Sequence, residues 1–303
     1  MKAVVIHGYG GPNELTWEDF ADPVAGSGEV LVKTAAASIN PVDYKMRSGA
    51  AKERFPVEFP GVLGRDVSGT VAAMGEGVTQ FAEGDRVFAL ALHTYAELVV
   101  VKQSELARIP DDLDIVDAAA LPLVLLTGEQ LIMRGVKPEK GSTVLVAGAL
   151  GGVGRTAVYI AKQAGATVIA GVKKSQIEKA RSLGADEVLA LDDKEAMGKV
   201  GLLDGVADAV GGKTAEELLG KVKQGGVFAS VLGPPANATM HPTVRIVPVV
   251  AERDVPTLER LAEDVARKRF AIPVDRMIPM SEAAAGQRAA EKGGIGKVLL
   301  LAT

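Results

Sequence analysis

Apolar residues change their spacing along the chain near Asp117. Before it, short runs such as "KAVVIH", "EVLVKTAAAS", "VSGTVAAMG", "DRVFAL" and "AELVVV" are separated by Gly and Pro at short intervals. That texture predicts strands joined by turns, and so a mainly β, barrel-like domain. After it, "VDAAALPLVLLTGEQLIMRG" has helical spacing around Pro122, and strand and helix then alternate. "STVLVAG", "TVIAGV", "EVLAL" and "GVFASVLG" read as strands, with "GVADAVG" among them; "VGRTAVYIAKQAG", "SQIEKARSLG" and "TAEELLGKVKQG" read as helices. Such alternation predicts a parallel sheet wrapped by helices. The chain closes with a helix "VPTLERLAEDVARKR", a strand near "PVDRMIPM", a helix "SEAAAGQRAAEKG" and a strand "KVLLLA".

One junction between strand and helix carries chemistry. In "VLVAGALGGVG", Val144 to Gly154, four glycines fall within seven residues. Written A-L-G-G-V-G, the loop gives Ala149, Gly151 and Gly154 the three spaced positions of a dinucleotide fingerprint, with Gly148, Gly152 and Val153 completing it. Gly151 would let backbone approach a pyrophosphate, Gly154 would let the helix pack on the sheet, and the helix N-terminus would supply amides and partial positive charge. A turn serving only chain reversal is the plainer alternative; the flanking strand and helix favour a cofactor site. An NAD-specific fold places Asp or Glu about 20 residues further on. Here that place falls near Gly171, and Lys173 and Lys174 follow at once. Two ammonium groups would attract a 2′-phosphate and give roughly a hundredfold preference for NADPH. Either lysine alone could instead be a solvated residue at a strand end.

Composition narrows the setting. A chain of 303 residues suits two domains, and 48% hydrophobic with 24% charged residues is ordinary for a globular protein. The net charge of -4, with scattered Lys and Arg, offers no nucleic-acid face. The longest apolar run, "AAALPLVLL", is broken by Pro122 and cannot span a bilayer, and the N-terminal run is too short for a signal peptide; the cytoplasm is the expected address. Zero cysteines exclude disulfides, thiolate catalysis and cysteine-based zinc sites. His7, His93 and His241 are isolated and lack metal-ligand spacing, so no metal is expected.

Several motifs in one order, "SINPVDYKMRSG", "FPGVLGRDVSGTVAAMGEGVTQFAEGDRVFAL", "AALPLVLLTG", "VAGALGGVG", "AKQAGATVIA", "KARSLGADEV", "DAVGG", "KQGGVFASV" and "GGIGKVLLL", run almost end to end. With them the chain resembles the zinc-free quinone oxidoreductases (the zeta-crystallin group) of the medium-chain dehydrogenase/reductase superfamily. The resemblance implies an α/β protein. A GroES-like β-barrel catalytic domain, 1–120 and 256–303, would accompany a Rossmann doubly wound parallel-sheet domain, 121–255, with the nicotinamide in the cleft between them. It also implies a homodimer through the Rossmann sheet edge, with "TVRIVPVV" as the edge strand, and cofactor contacts from Thr127, Val210 and Gly233. Zinc-dependent relatives have Cys where this chain has Asn40, and a His-Glu pair where it has Arg65 and Asp66; their four-cysteine lobe is missing.

Without zinc, an alkoxide lacks its Lewis acid, and hydride addition to a quinone or an activated C=C becomes the stronger reading. The developing oxyanion then needs hydrogen-bond donors and one proton source. By resemblance Asn40 lies beside nicotinamide and substrate, and Asp43 braces its loop; both residue types also make ordinary turns beside a Pro. Tyr44 and Lys45 are the nearby donors. Some relatives carry a tyrosine shortly after "RSG", where this chain has Ala50 and Ala51, so Lys45 is the candidate to meet the carbonyl. Leu191 stands where relatives often have a tyrosine near the adenine. The expected activity is NADPH-dependent reduction of a quinone or α,β-unsaturated carbonyl. A metal-independent carbonyl or alcohol dehydrogenase and a non-catalytic NADPH-binding protein are the alternatives.

Overall fold

The chain runs β1 (Lys2–Ile6), β2 (Thr16–Asp19), β3 (Glu29–Ile39), α1 (Pro41–Arg47), β4 (Gly61–Val62), β5 (Asp66–Met74), β6 (Arg86–Leu90), β7 (Leu98–Lys102), β8 (Ala107–Arg108), α2 (Ile115–Ala118) and α3 (Pro122–Gln130). A π-helical turn, Leu131–Val136, extends α3. There follow β9 (Thr143–Ala147), α4 (Gly152–Gln163), β10 (Thr167–Val172), α5 (Ile177–Ala180), β11 (Glu187–Ala190), α6 (Lys194–Lys199), β12 (Leu203–Asp208), α7 (Gly212–Leu219), β13 (Val222–Ser230) and β14 (Arg245–Pro248). The last elements are α8 (Val255–Ala266), β15 (Val274–Pro279), α9 (Ala283–Glu291) and β16 (Lys297–Leu301). This computed structural model describes residues 1–294 and 296–302; Ile295 of "GGIGKVLLL" and Thr303, the end of the expected catalytic domain, lie outside the described residues.

Two compact units result, Met1–Leu123 with Arg253–Thr303, and Val124–Glu252. In the first, a three-stranded sheet β2-β1-β4 accompanies a seven-stranded sheet ordered β15-β16-β3-β5-β6-β8, with β7 also paired to β3. β3 is long because both its faces find apolar cover. Val30 and Val32 join Val67, Val87, Val99 and Val101 in one core, while Ala37 and Ile39 join Val4, Ile6, Met280 and Leu300 in another. The C-terminal strand β16 completes this unit by pairing antiparallel with β3, Leu300 opposite Ala37.

The second unit is a six-stranded sheet ordered β11-β10-β9-β12-β13-β14, parallel throughout. The direction of winding reverses between β9 and β12, which makes it a doubly wound sheet whose switch point lies at the carboxyl end of β9. Near-continuous burial of β9 and β12 fits a central parallel strand covered on both faces. Leu145, Val206 and Phe228 pack with Leu218 and Leu219 of α7 on one of them.

Four local expectations need correction. Asn40 to Arg47 is not a loop: Asn40 stands at the N-cap position of α1, its backbone N–H held by Asp43, and Pro41 occupies the first turn, where proline's missing N–H is harmless. The helix expected across "TAEELLGKVKQG" stops at Leu219; Gly220 ends it, and Val222 already pairs with Leu203 in the sheet. "SQIEKARSLG" holds only one four-residue α segment between two 3-10 turns. Pro122 divides the long apolar stretch into α2 and α3 rather than lying within one helix, as its ring and missing donor require. β2, "TWED", has too few apolar positions to stand out in the sequence and forms as the antiparallel neighbour of β1.

Candidate active site

The glycine loop follows β9 at the switch point, and its register is fixed by the neighbouring strand. Gly148 N–H and Ala149 N–H both donate to the Gly171 carbonyl, at 2.9 and 3.1 Å. Its glycines then separate by cause. At Gly154 a β-carbon would collide with the Gly148 carbonyl oxygen and lie 2.7 Å from Ala149 Cα, so the close packing of α4 on the loop requires glycine. At Gly152 it would lie 2.8 Å from the Val124 side chain. Gly148 has φ +77°, in the left-handed region. Gly151 is different. Its backbone is extended (φ −72°, ψ 162°), and a β-carbon would meet only the Gly148 oxygen, at an ordinary 3.4 Å. Nothing in the fold demands glycine there. What the bare residue leaves is open backbone at the mouth of a twelve-residue helix with no side-chain cap, so the first-turn amides of Gly152, Val153 and Gly154 lack a capping acceptor. An anion brought to this point finds N–H groups and the positive helix end.

Neighbouring strand ends shape the rest. At the end of β12 the buried Asp208 accepts from Val210 N and Gly211 N, both at 3.0 Å, and from Ser230 Oγ at 2.7 Å. This pins the "DAVGG" turn and holds the half-exposed Val210 over Gly148. Gly233, beyond β13, has φ +91° and open space where a side chain would be. Leu191 lies against Gly171. Thr127 lies inside α3, buried. At the next residue, Gly128, a β-carbon would lie 2.6 Å from the Val153 carbonyl oxygen, which shows how closely α3 and α4 approach.

The lysines after β10 are not unopposed. Lys174 Nζ pairs with Asp193 Oδ2 at 2.7 Å, and Lys174 N–H donates to Asp192 Oδ1 at 2.6 Å. The Asp193 carboxylate raises the Lys174 pKa above its ordinary value and is itself held low by the lysine. Lys173 is exposed, and its backbone N–H donates to Gln176 Oε1 at 3.2 Å. Sequence spacing places no carboxylate on this strand; these two arrive from the end of the next one, β11.

In the first unit, two of the expected catalytic residues, Asn40 and Asp43, belong to a sealed polar network. Asn40 is 1% exposed, Asp43 and Asp66 0% and Lys297 8%. Lys297 Nζ donates to Asn40 Oδ1 at 2.6 Å and the Ile39 carbonyl at 3.3 Å, and stands 3.7 Å from Asp66 Oδ2. Asp66 Oδ2 also accepts from Ser38 Oγ at 2.6 Å and Asn40 Nδ2 at 2.8 Å, and its Oδ1 accepts from Leu123 N at 2.8 Å. The Asn40 amide therefore has one orientation, oxygen toward the ammonium and nitrogen toward the carboxylate. Burial pulls the Lys297 pKa down against the opposing pull of Asp66 and Asp43.

Asp43 braces the start of α1. Its Oδ2 accepts from Asn40 N at 2.7 Å and Tyr95 Oη at 2.8 Å, while its buried Oδ1 has no partner. Burial outweighs those hydrogen bonds and pushes its pKa up to about 7. Tyr95, fully buried, is driven well above the usual phenol range by burial and then by Asp43, so it stays a donor. Arg47, one turn after Asp43, docks α1 on α9 through Gln287 (2.7 Å) and Glu291 (2.6 Å). Tyr44 is half-buried against the core around β1, which raises its pKa, with Glu291 and Asp43 adding to the effect. Lys45 is half-exposed on α1. Sequence reasoning passed over Lys297, Ser38, Tyr95, Asp208 and Ser230. A charged residue opening the apolar "KVLLL" and the Asp of "DAVGG" were the available signals.

These residues do not fit a catalytic zinc. At the places of the zinc ligands stand an amide and a carboxylate already bound to an ammonium, and Arg65, whose half-buried guanidinium lies 5.6 Å from the Phe55 ring centroid. Among the described residues no group of three or more His, Cys, Asp or Glu could hold a metal ion.

The chain belongs to the medium-chain dehydrogenase/reductases, in their quinone-oxidoreductase-like group. The family model described as "Alcohol dehydrogenase GroES-like domain" matches residues 26–111, and the one described as "Zinc-binding dehydrogenase" matches 152–252. Among curated proteins, the chain is 29% identical to a chloroplastic quinone-oxidoreductase homolog of Spinacia oleracea, over 93% of this chain and 92% of that one. It is 33% identical to the chloroplastic NADPH-dependent alkenal/one oxidoreductase of Arabidopsis thaliana, over 77% of this chain and 63% of that one. Among solved structures, the quinone oxidoreductase from Coxiella burnetii superposes with TM-score 0.89 at 27% identity, covering 100% and 99% of the two chains. A mycobacterial protein complexed with NADPH gives TM-score 0.86 at 29% identity, covering 100% of both. No described helix is long and apolar enough to cross a membrane.

Proposed function

We propose that this chain is an NADPH-dependent, zinc-free oxidoreductase that passes hydride to a quinone or to an α,β-unsaturated carbonyl compound. The observation that carries the reading is Gly151, a glycine the fold itself does not need, at the mouth of α4. When bound, the dinucleotide supplies the hydride. The amides of Gly152, Val153 and Gly154 would hold its pyrophosphate; Gly148 and Ala149 cannot, because Gly171 takes theirs. Thr127, Val210 and Gly233 would border it, and Lys173 and Lys174 would face the 2′-phosphate. On the substrate side, Tyr44 and Lys45 are the proposed proton donors, both half-accessible on α1. Asn40 and Asp43 set the start of that helix, through Lys297 and Asp66 for the one and Tyr95 for the other. The relatives' names, quinone and alkenal/one oxidoreductase, support this substrate class. A homodimer through β14, the outer strand of the parallel sheet, belongs to the same proposal.

Two glycine variants test the reading. Gly151→Ala should leave the melting temperature unchanged and weaken NADPH binding at least tenfold by calorimetry, because the methyl fills only the ligand's space. Gly154→Ala should instead destabilise the second unit by about 1–3 kcal/mol, the range for forcing atoms into a packed site. Unaltered NADPH affinity in Gly151→Ala would overturn the cofactor site. Turnover of a saturated ketone but of neither a quinone nor an enone would overturn the substrate class.

A further inference from the structure

We propose that Asp193 sets the cofactor preference of this protein by holding Lys174 away from an incoming 2′-phosphate. The inference rests on the reading that Lys173 and Lys174 face that phosphate. The two oxygens of Asp193 have separate work. Oδ1 caps α6, accepting from Glu195 N at 3.0 Å and Ala196 N at 3.2 Å. Oδ2 takes the Lys174 ammonium at 2.7 Å. The arrangement is anchored on the carboxylate side, since the Asp193 side chain is 23% exposed and that of Lys174 71%. Asp192 adds a second restraint by accepting the Lys174 backbone N–H at 2.6 Å. A lysine meant to greet a phosphate is thus tied, at both its backbone and its head, to carboxylates.

The consequence follows from charge. A dianionic 2′-phosphate reaching Lys174 must compete with Asp193 for the ammonium. A nucleotide with a free 2′-hydroxyl makes no such demand on that ammonium. Exposed pairs of this kind are weak and screened, so the effect is modest, about two- to fivefold in affinity at low salt. Discrimination for NADPH then rests mainly on Lys173, and the preference falls well short of the hundredfold that two free lysines would give.

Asp193→Asn isolates the charge. Asparagine caps helices about as well as aspartate, so α6 keeps its Oδ1 acceptor. The probes are 2′,5′-ADP and 5′-AMP, measured by calorimetry on the full chain without turnover. Asp193→Asn should tighten 2′,5′-ADP about two- to fivefold, leave 5′-AMP unchanged, and lose its gain in 0.5 M salt or when Lys174→Ala is added. No gain, an equal gain for both nucleotides, or a gain that persists with Lys174→Ala would each overturn the proposal. The double variant Lys173→Ala, Lys174→Ala separates the two levels. If it binds 2′,5′-ADP as tightly as the parent, the phosphate site itself is elsewhere and both readings fall. If it weakens 2′,5′-ADP while Asp193→Asn gains nothing, only the role of Asp193 is lost.

Discussion

Lys297→Met removes the one ammonium from the network under α1 while keeping most of the side-chain volume. Its three acceptors then lose their donor together: Asn40 Oδ1, the Ile39 carbonyl and, at longer range, Asp66. Asp66 is left as a carboxylate at 0% exposure with only neutral donors around it. Removing one partner of a buried pair costs about 3–5 kcal/mol, which for a domain of this size lowers the melting temperature by roughly 6–20 °C. Asp66→Asn alone should cost less, because a Lys297 pKa already lowered by burial lets the stranded amine shed its proton. The double variant, Lys297→Met with Asp66→Asn, removes both charges and leaves amide, hydroxyl and backbone partners in place. Its loss should be only about 1–2 kcal/mol, smaller than that of Lys297→Met alone. Urea unfolding at pH 7, followed by Trp17 fluorescence in the first unit and by circular dichroism, measures all four proteins. If the two single losses simply add, Lys297 and Asp66 are not one unit and the network argument is wrong.

Asp43 carries a pH signature. With its folded pKa raised from 3.8 to about 7, the native state binds more protons than the unfolded state between those values. Stability is therefore greatest below about pH 4 in this respect and is lost as pH rises toward 7, by up to about 4 kcal/mol; Asp43→Asn should remove that slope in urea titrations from pH 4.5 to 8. Lys268 closes α8 in the left-handed region at φ 58°, so Lys268→Gly should raise stability by about 0.5–1 kcal/mol, read as a small rise in melting temperature. Lys45→Ala should lower kcat on an enone by roughly ten- to a thousandfold with NADPH affinity unchanged and a quinone less affected; equal rates would pass the donor role to Tyr44.

The architecture was legible because its signals are local and repeated. "VLVAGALGGVG" between a strand and a helix fixed the switch-point loop, and period changes near Asp117 separated the two textures. What could not be read was anything assembled across the chain. Lys297 meets Asn40 over 257 residues of sequence, and only the pairing of β16 with β3 brings them together. Asp192 and Asp193 oppose Lys174 because β10 and β11 lie side by side, a fact of strand order rather than spacing. α1 reads as a loop because "NPVDYKMR" is short and polar; its start lies in an Asn-Pro pair that shows as a helix start only once Asp43 folds back on the Asn40 backbone.

The most direct test of the reduction proposed here follows one atom. NADPH carrying deuterium at nicotinamide C4, in either the pro-R or the pro-S position, is mixed with the protein and one enone, and the product is read by mass spectrometry and NMR. The expected result is deuterium at the β-carbon of the saturated ketone from one of the two labelled cofactors and not the other, at a rate unchanged by a chelator. Reduction of the carbonyl to an alcohol, or no label in the product from either cofactor, would contradict it.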